Sequence, residues 1–153
     1  MLLFSRLLHI FFGVFWGGTI LFISTLLLPA IQETGPDGGK VMAALARRRM
    51  HAIMPIMGLL TVLSGVWLYW HASAGFNSAY MGSRPGMTYG LGMITAVIAL
   101  LIGAIVVGPS IGKAATAEPA VAQQLRTRAA AGIRAVSLFI ALTVVAMAVA
   151  RYL

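Results

Sequence analysis

The sequence predicts an all-α integral membrane protein built as a four-helix bundle. Three runs, residues 7–31, 53–70 and 87–107, contain no Asp, Glu, Lys or Arg, and a fourth, residues 129–150, is interrupted only by Arg134. One helical crossing of the bilayer core takes about 20 apolar residues, so each run is long enough to span it. Charged residues make up 9% of the chain, whereas soluble domains contain about a quarter.

Four crossings and their short links account for nearly all 153 residues, which predicts a single domain, residues 1–153. The predicted spans are residues 3–29, 51–71, 87–108 and 129–150. Pro29 lies close to the end of the first helix, and the turn-forming residues 35–39 follow it. The third helix is expected to continue past Pro109 with a kink. Pro119 suits the first turn of the fourth helix.

The distribution of Lys and Arg predicts the orientation in the membrane. The two links on one side carry eight of the 11 basic residues: Lys40, Arg47, Arg48, Arg49, Lys113, Arg126, Arg128 and Arg134. The opposite side carries Arg6, Arg84 and Arg151. Because cytoplasmic loops are enriched in Lys and Arg, both termini are expected outside the cytoplasm.

The same distribution explains the net charge of +8 without a nucleic-acid partner. The basic residues lie at the ends of apolar runs, and the sequence has neither an RNA-binding aromatic motif nor a long basic amphipathic helix. The expected partner is the lipid bilayer. The chain also has no cysteine, which excludes disulfides and thiolate metal sites.

The intramembrane histidine His9 is the principal candidate for chemistry. Gly13 and Gly17 follow it at helical spacing, so the three residues share one helix face, and Trp16 borders that face. Antiparallel pairing of the first two helices is expected to bring His9 and His71 to the same side at similar depth. A planar cofactor such as haem b fits between two imidazoles, a common ligand of haem iron.

Two alternatives remain open for these residues. The spacing of Gly13 and Gly17 is also typical of small-residue contacts between membrane helices. His71 follows Trp67 and Trp70, which suggest an interfacial aromatic belt, where a histidine is often simply solvated. Outside this face, Tyr80, Met81, Met87, Tyr89 and Met93 are further candidates for lining a pocket or ligating iron.

A copper site is the less favoured interpretation of His51. Met50, Met54 and Met57 share a helix face near it, and thioether with imidazole suits Cu(I). However, methionine commonly fills gaps in apolar packing, and three arginines immediately precede the histidine. The three acidic residues, Glu33, Asp37 and Glu118, lie outside the spans, so carboxylate-based proton relays and hydrolytic chemistry lack their usual groups.

Residues 6–70 resemble the CopD/HemJ-like group of small bacterial membrane proteins, whose HemJ-type members are protoporphyrinogen oxidases. The first helix shares Arg6-Leu7-Leu8-His9-Ile10, Gly13, Trp16-Gly17-Gly18 and Leu27-Leu28-Pro29; the second shares Arg47-Arg48-Arg49-Met50, Ala52-Ile53-Met54-Pro55 and Gly65-Val66-Trp67-Leu68. The resemblance implies a four-helix unit in the bacterial inner membrane that binds haem b through His9. It also implies a lysine near the start of the third span, where this chain has Met87-Thr88-Tyr89-Gly90.

Two functions follow as hypotheses from these observations. The first is haem b binding near the outer face for electron transfer or porphyrin oxidation, with His9 and His71 as iron ligands and Gly13, Trp16 and Gly17 around the ring. Such a protein would work with a redox partner in the membrane. The second is a non-enzymatic assembly subunit that associates with itself or with other helices through its glycine faces, with or without copper.

Overall fold

The computed structural model describes the backbone of all 153 residues and every side chain except those of residues 36, 42, 43, 46 and 51. Within that description the chain is 89% helical, with six helices and no strand. The helices are α1 (Leu2–Glu33), α2 (Gly38–Arg47), α3 (Met50–Ala72), α4 (Ser78–Met81), α5 (Arg84–Ala114) and α6 (Pro119–Tyr152). Among the described residues, α1, α3, α5 and α6 contain segments long and apolar enough to cross a membrane, which confirms the predicted all-α bundle.

The four long helices run alternately up and down and form a closed ring. α1 packs along α3, α5 packs along α6, and contacts between α1 and α6 and between α3 and α5 complete the ring. Both chain termini and the 73–83 connection therefore lie at one end, called here the terminal end. Residues 34–49 and 115–118 lie at the opposite end, called the loop end.

All four long helices extend beyond the apolar runs. α6 begins ten residues before residue 129, and α5 continues to Ala114, six residues beyond its predicted span. The added turns carry polar residues such as Gln123 and Arg126. Hydropathy identifies where a helix is lipid-embedded, whereas backbone hydrogen bonding continues into the polar interface until a capping or turn residue ends it.

α1 and α5 each contain a π-helical turn just before a proline. The amide of Leu28 donates to the Ile23 carbonyl, and the amide of Gly108 donates to the Gly103 carbonyl, both five residues back. Pro29 and Pro109 follow directly. Proline lacks an N–H and clashes with the carbonyl four residues earlier, so a wider turn at this point lets the helix continue. This is why α1 does not end near Pro29, as the sequence predicted, and reaches Glu33.

The core lies near the middle of the bundle, where Trp16, Ala99, Val136 and Ile140 are buried together. Hydroxyl pairs link the helices on either side: Ser137 donates to Ser24, 3.0 Å away, and the hydroxyls of Thr95 and Thr143 are 2.8 Å apart. The outer surface of the bundle is rich in exposed large apolar side chains, including Phe11, Ile94, Leu101, Ile105, Leu138 and Val145. This distribution suits a bundle whose solvent is lipid.

Gly58 is required by this core. A Cβ at this position would lie 2.8 Å from Cε2 of Trp16 and 3.0 Å from Cδ1 of Leu100. Replacing Gly58 by valine should therefore overpack the middle of the bundle and lower its stability by about 1–3 kcal/mol. The measurement is thermal unfolding of the purified protein in detergent, followed by circular dichroism.

Gly18→Val is the matched control, because a Cβ at Gly18 would meet no described atom within 4 Å. Both variants place the same β-branched residue in the interior of a membrane helix. Equal losses of thermal stability in the two variants would contradict the packing of Trp16 against Gly58.

Candidate functional site

A cavity of about 950 Å³ opens at the terminal end between the four long helices. Its floor is formed by Trp16, Gly17, Ala96 and Ile140, close to the middle of the bundle. Ligand pockets in proteins occupy about 300–1,000 Å³, so this cavity lies at the upper end of that range. Between the core residues at the middle of the bundle and the terminal end, the cavity is therefore large enough for a cofactor-sized molecule.

All five predicted site residues line this cavity: His9, Gly13, Trp16, Gly17 and His71. His9, Gly13 and Gly17 lie on α1 at spacings of four residues, which places them on one helix face, and Trp16 borders that face. That face is directed to the inside of the ring and continues toward the terminal end with Arg6. The grouping predicted from the helical period is thus present.

The imidazole of His9 is oriented by α3. Its Nδ1 lies 2.9 Å from the Thr61 carbonyl oxygen and 3.2 Å from Oγ of Ser64. A carbonyl oxygen can only accept, so Nδ1 carries the proton and donates it. Ser64 uses its own hydroxyl proton toward the carbonyls of Leu60 and Thr61, which leaves its oxygen as an acceptor for His9. In the described structure both hydrogen bonds of His9 run through Nδ1, so Nε2 keeps its lone pair.

Gly65 makes room for this ring. A Cβ at position 65 would lie 2.9 Å from Cε1 of His9 and 3.3 Å from its Nδ1. Any larger residue would therefore displace the imidazole from the Thr61 carbonyl. The glycine predicted only as part of a shared motif has a direct geometric role beside the histidine.

The two glycines that follow His9 have different surroundings. A Cβ at Gly17 would lie 3.2 Å from Cγ2 of Ile140 on α6, a tight contact that glycine relieves. A Cβ at Gly13 would lie 3.5 Å from Cγ2 of Thr61, which is ordinary van der Waals contact. Gly17 thus serves close helix packing at the floor, whereas close packing does not require a glycine at position 13.

Trp16 is 4% exposed and lies beneath the chamber. Its indole packs on Gly58 of α3, next to Leu100 of α5. Trp16, which we predicted to lie beside a macrocycle, therefore forms part of the cavity floor. A ring system entering from the terminal end would reach the indole last.

His71 lies near the cavity mouth, further out than His9. Its ring packs against Trp67 and Trp70, with ring centroids 4.5 and 4.9 Å away. His9 is level with Gly65, and His71 follows six residues later, about 9 Å further along α3. The similar depth expected for the two histidines is not observed, because the register places His9 opposite Thr61–Gly65. Ligation of iron by His71 stays a prediction.

The far wall of the cavity comes largely from residues that the sequence did not single out together. α5 and α6 contribute Tyr89, Met93, Thr143 and Met147 to it, and α3 contributes Tyr69. Tyr89 and Met93 were among the open candidates, whereas Met81 and Met87 are exposed and lie outside the lining residues. Met147 and Thr143 are four residues apart on α6. In a helix that is apolar on all sides, this spacing does not indicate which face lines a cavity unless the neighbouring helix is known.

The cavity mouth is bordered by Tyr80 from the short helix α4. The Tyr69 ring lies 6.1 Å from the Tyr80 ring of this helix, and the Tyr69 hydroxyl donates to the Gly86 carbonyl at the start of α5, 3.0 Å away. Burial raises the pKa of Tyr80 above its usual value of 10, and the neighbouring Tyr89 and Tyr69 add to this. The Tyr80 hydroxyl therefore remains protonated at neutral pH and can donate at the mouth.

A multi-ligand metal site is not found in the part of the chain that the structure describes: no three His, Cys, Asp or Glu side chains group to hold an ion there. The side chain of His51, the candidate copper ligand, lies outside the described residues.

Comparison of the chain with protein families, curated proteins and solved structures finds no match. The chemistry of the site is therefore argued from its geometry.

The hydrogen bond to Thr61 predicts the tautomer of His9. In protein labelled with ¹⁵N-histidine and reconstituted in lipid, Nδ1 of His9 should show the chemical shift of a protonated nitrogen and Nε2 that of a nitrogen with a free lone pair. Solid-state NMR distinguishes the two directly, and His9→Gln identifies which signals belong to residue 9. A protonated Nε2 with a bare Nδ1 would contradict the geometry described.

Proposed function

We propose that this protein binds haem b in the cavity at its terminal end and serves in electron transfer within the membrane. The proposal is supported above all by the hydrogen bonding of the His9 ring. Nδ1–H donates to the Thr61 carbonyl, which leaves the lone pair of Nε2 free to ligate a metal, and His9 lines the cavity.

The donor chemistry at His9 fits a haem iron. Histidines that ligate metals nearly always donate their other ring N–H to a carboxylate, a backbone carbonyl or water, which orients the ring and raises its basicity. Thr61 supplies this carbonyl, and Ser64 supplies a second acceptor. His9 would therefore hold the iron through Nε2, and its ring would be prevented from rotating by the same two contacts.

The shape of the cavity also fits a planar apolar group. The wall around His9 is formed by small residues, Gly13 and Gly65, while Val62, Leu68 and Val144 supply apolar surface. Trp16 closes the bottom. These residues would bind the macrocycle by van der Waals contact and exclude water from it, and a bound haem would supply one-electron chemistry.

Of the two activities considered for a haem-binding protein of this kind, electron transfer suits this cavity better than porphyrin oxidation. The chain has two lysines, Lys40 and Lys113, and both lie at the loop end, away from the cavity. Electron transfer asks the protein only to hold and surround the cofactor. A redox partner would then approach the terminal end, where the mouth lies.

The alternative of an assembly subunit receives less support from the glycine face. Gly13 and Gly17 lie against Thr61 and Ile140 of the same chain, so this face is used inside the bundle. Self-association through other glycine-bearing faces stays a prediction.

We place the protein in the bacterial inner membrane with its terminal end outside the cytoplasm. The loop end and the adjoining half of the bundle carry eight of the 11 Lys and Arg residues, with Arg134 inside the fourth span, and this excess favours retention on the cytoplasmic side. The haem site would then lie in the outer half of the membrane.

The haem proposal predicts a coloured protein. After expression with sufficient haem and purification in mild detergent, the wild type should show a Soret band. His9→Ala should lower the stoichiometry of bound haem at least about tenfold, because the variant lacks the oriented nitrogen donor. Absorption spectra of the oxidised and reduced protein, normalised to protein concentration, measure this.

His71→Ala removes the second predicted ligand and tests whether one histidine or two hold the iron. The His71 ring lies against two tryptophans about 9 Å further out along α3 than Gly65, so we expect His9 to hold the iron without it and the Soret band to remain. Loss of haem in both variants at unchanged thermal stability would show that both histidines ligate the iron. A wild-type protein without haem affinity would overturn the proposal.

The orientation predicts which end a membrane-impermeant reagent reaches. Because the chain has no cysteine, single substitutions Ser78→Cys at the terminal end and Thr116→Cys at the loop end give unique labelling sites. In intact spheroplasts, an impermeant maleimide should label Ser78→Cys and leave Thr116→Cys unlabelled until the membrane is broken. The reverse pattern would contradict the assigned orientation.

A further inference from the structure

We propose that Arg6 and Arg151 form an acid-binding mouth on the cavity, and that the cavity's ligand is an amphiphile whose carboxylates lie between these two guanidinium groups. This inference rests on the proposed function, since haem b carries two propionates on one edge. It adds the direction in which the ligand enters and the group that it must present at the terminal end.

The helix register brings the two arginines to the same level. Gly17 and Ile140 mark a direct contact of α1 with α6, with 3.2 Å between a Cβ at residue 17 and Cγ2 of Ile140. Arg6 lies eleven residues before Gly17, and Arg151 lies eleven residues after Ile140. Because the helices are antiparallel, both arginines stand about 16 Å beyond that contact, toward the terminal end. Both line the cavity.

The arginines also complete two continuous faces. On α1 the face runs from Gly17 through Gly13 and His9 to Arg6, and on α6 it runs from Ile140 through Met147 to Arg151. Each face is apolar or small near the floor and cationic at the mouth. His9 lies three residues below Arg6, about 4–5 Å along the axis, so a ligand held at His9 would reach the arginines with its polar edge.

The side-chain carboxylates of the chain lie far from this mouth, whereas the terminal carboxylate of Leu153 follows Arg151 by two residues and forms no ion pair with it among the described residues. Glu33, Asp37 and Glu118 all lie at the loop end, where Asp37 pairs with Lys40 at 2.6 Å. Two like charges at one opening repel each other unless an anion lies between them. The Arg151 guanidinium carbon lies 5.2 Å from the centre of the Tyr152 ring, and stacking on a ring face leaves the in-plane N–H groups available for an acceptor.

The chemistry of the guanidinium fork selects the ligand class. Arginine binds carboxylate or phosphate through two parallel N–H···O bonds, which are among the strongest hydrogen bonds in proteins. A lipid phosphate carries the same chemistry and is present at every membrane surface. The cavity distinguishes a carboxylate ligand from a lipid phosphate. A ligand of the cavity must carry its acid group on an apolar portion that fills the space between the arginines and Trp16.

The test uses metal-free protoporphyrin IX and its dimethyl ester, because neither requires ligation by His9. Both are titrated by fluorescence into the full-length protein in phosphatidylcholine nanodiscs. The wild type should bind the free acid at least about tenfold more tightly than the ester. Arg6→Gln and Arg151→Gln should each weaken binding of the acid about tenfold and leave binding of the ester unchanged.

Arg84→Gln is the matched control, since Arg84 is exposed at the same end and lies outside the cavity lining. It should bind both compounds as the wild type does. Equal affinity for acid and ester, or an equal effect of all three substitutions, would overturn the inference. Loss of the acid's advantage in phosphatidylglycerol nanodiscs would also overturn it, because the uncompensated phosphate of this anionic lipid would then occupy the arginines in place of the carboxylates.

The outcomes separate this inference from the haem proposal. Arginine-dependent binding of the acid, together with haem binding that is indifferent to His9→Ala, would support the acid-binding mouth and overturn the iron site. Haem bound through His9 with equal affinity for acid and ester would do the reverse. Failure of both porphyrins and of haem to bind would overturn both proposals.

Discussion

An imidazole can lie inside the apolar layer of a membrane only where its N–H finds an acceptor, because lipid offers none. The Thr61 carbonyl is that acceptor for His9, and Gly65 provides the space to reach it. The contact fixes the register of α1 against α3, the protonated nitrogen of the ring and the position of the other nitrogen. The candidate site follows from these three consequences.

The cavity reflects a division between two halves of the bundle. Helices in lipid associate through van der Waals packing and interhelical hydrogen bonds, without the hydrophobic drive available in water. Around Trp16 and Val136 the packing is tight, and the glycines at positions 17, 58 and 132 allow close approach. Toward the terminal end the same helices border a partly open cavity of about 950 Å³. The packing contacts given up there are those that a resident ligand would supply.

The membrane class and the α1 face could be predicted from the sequence because both depend on periodicity within one helix. Long runs with at most one charged residue identify the spans, and spacings of four residues group His9, Gly13 and Gly17, with Trp16 at the border. The pairing of Arg6 with Arg151, the contact of His9 with Thr61 and the depth of His71 depend on the register between helices. That register is set by which side chains interlock, such as Gly17 with Ile140, and no pattern within a single helix records it.

The helix ends and the π turns illustrate a second limit. Pro29 and Pro109 are read locally as an end and a kink, yet each is accommodated by one wide turn directly before it. The cost of continuing the helix is set by contacts of the whole bundle with that turn, including Val107 against Gly132. Local propensity therefore locates both irregularities; it correctly predicts that the helix continues past Pro109 and wrongly places a helix end near Pro29.

The central claim is that the His9 ring faces α3 inside the bundle. Solid-state NMR can measure the dipolar coupling between ¹⁵Nδ1 of His9 and a ¹³C label in the Thr61 carbonyl, in protein reconstituted in lipid. The structure predicts a measurable coupling, since Nδ1 lies 2.9 Å from the oxygen of that carbonyl, and weak transfer from acyl-chain protons to the ring. An imidazole without coupling to Thr61 and with strong transfer from acyl chains would contradict the account.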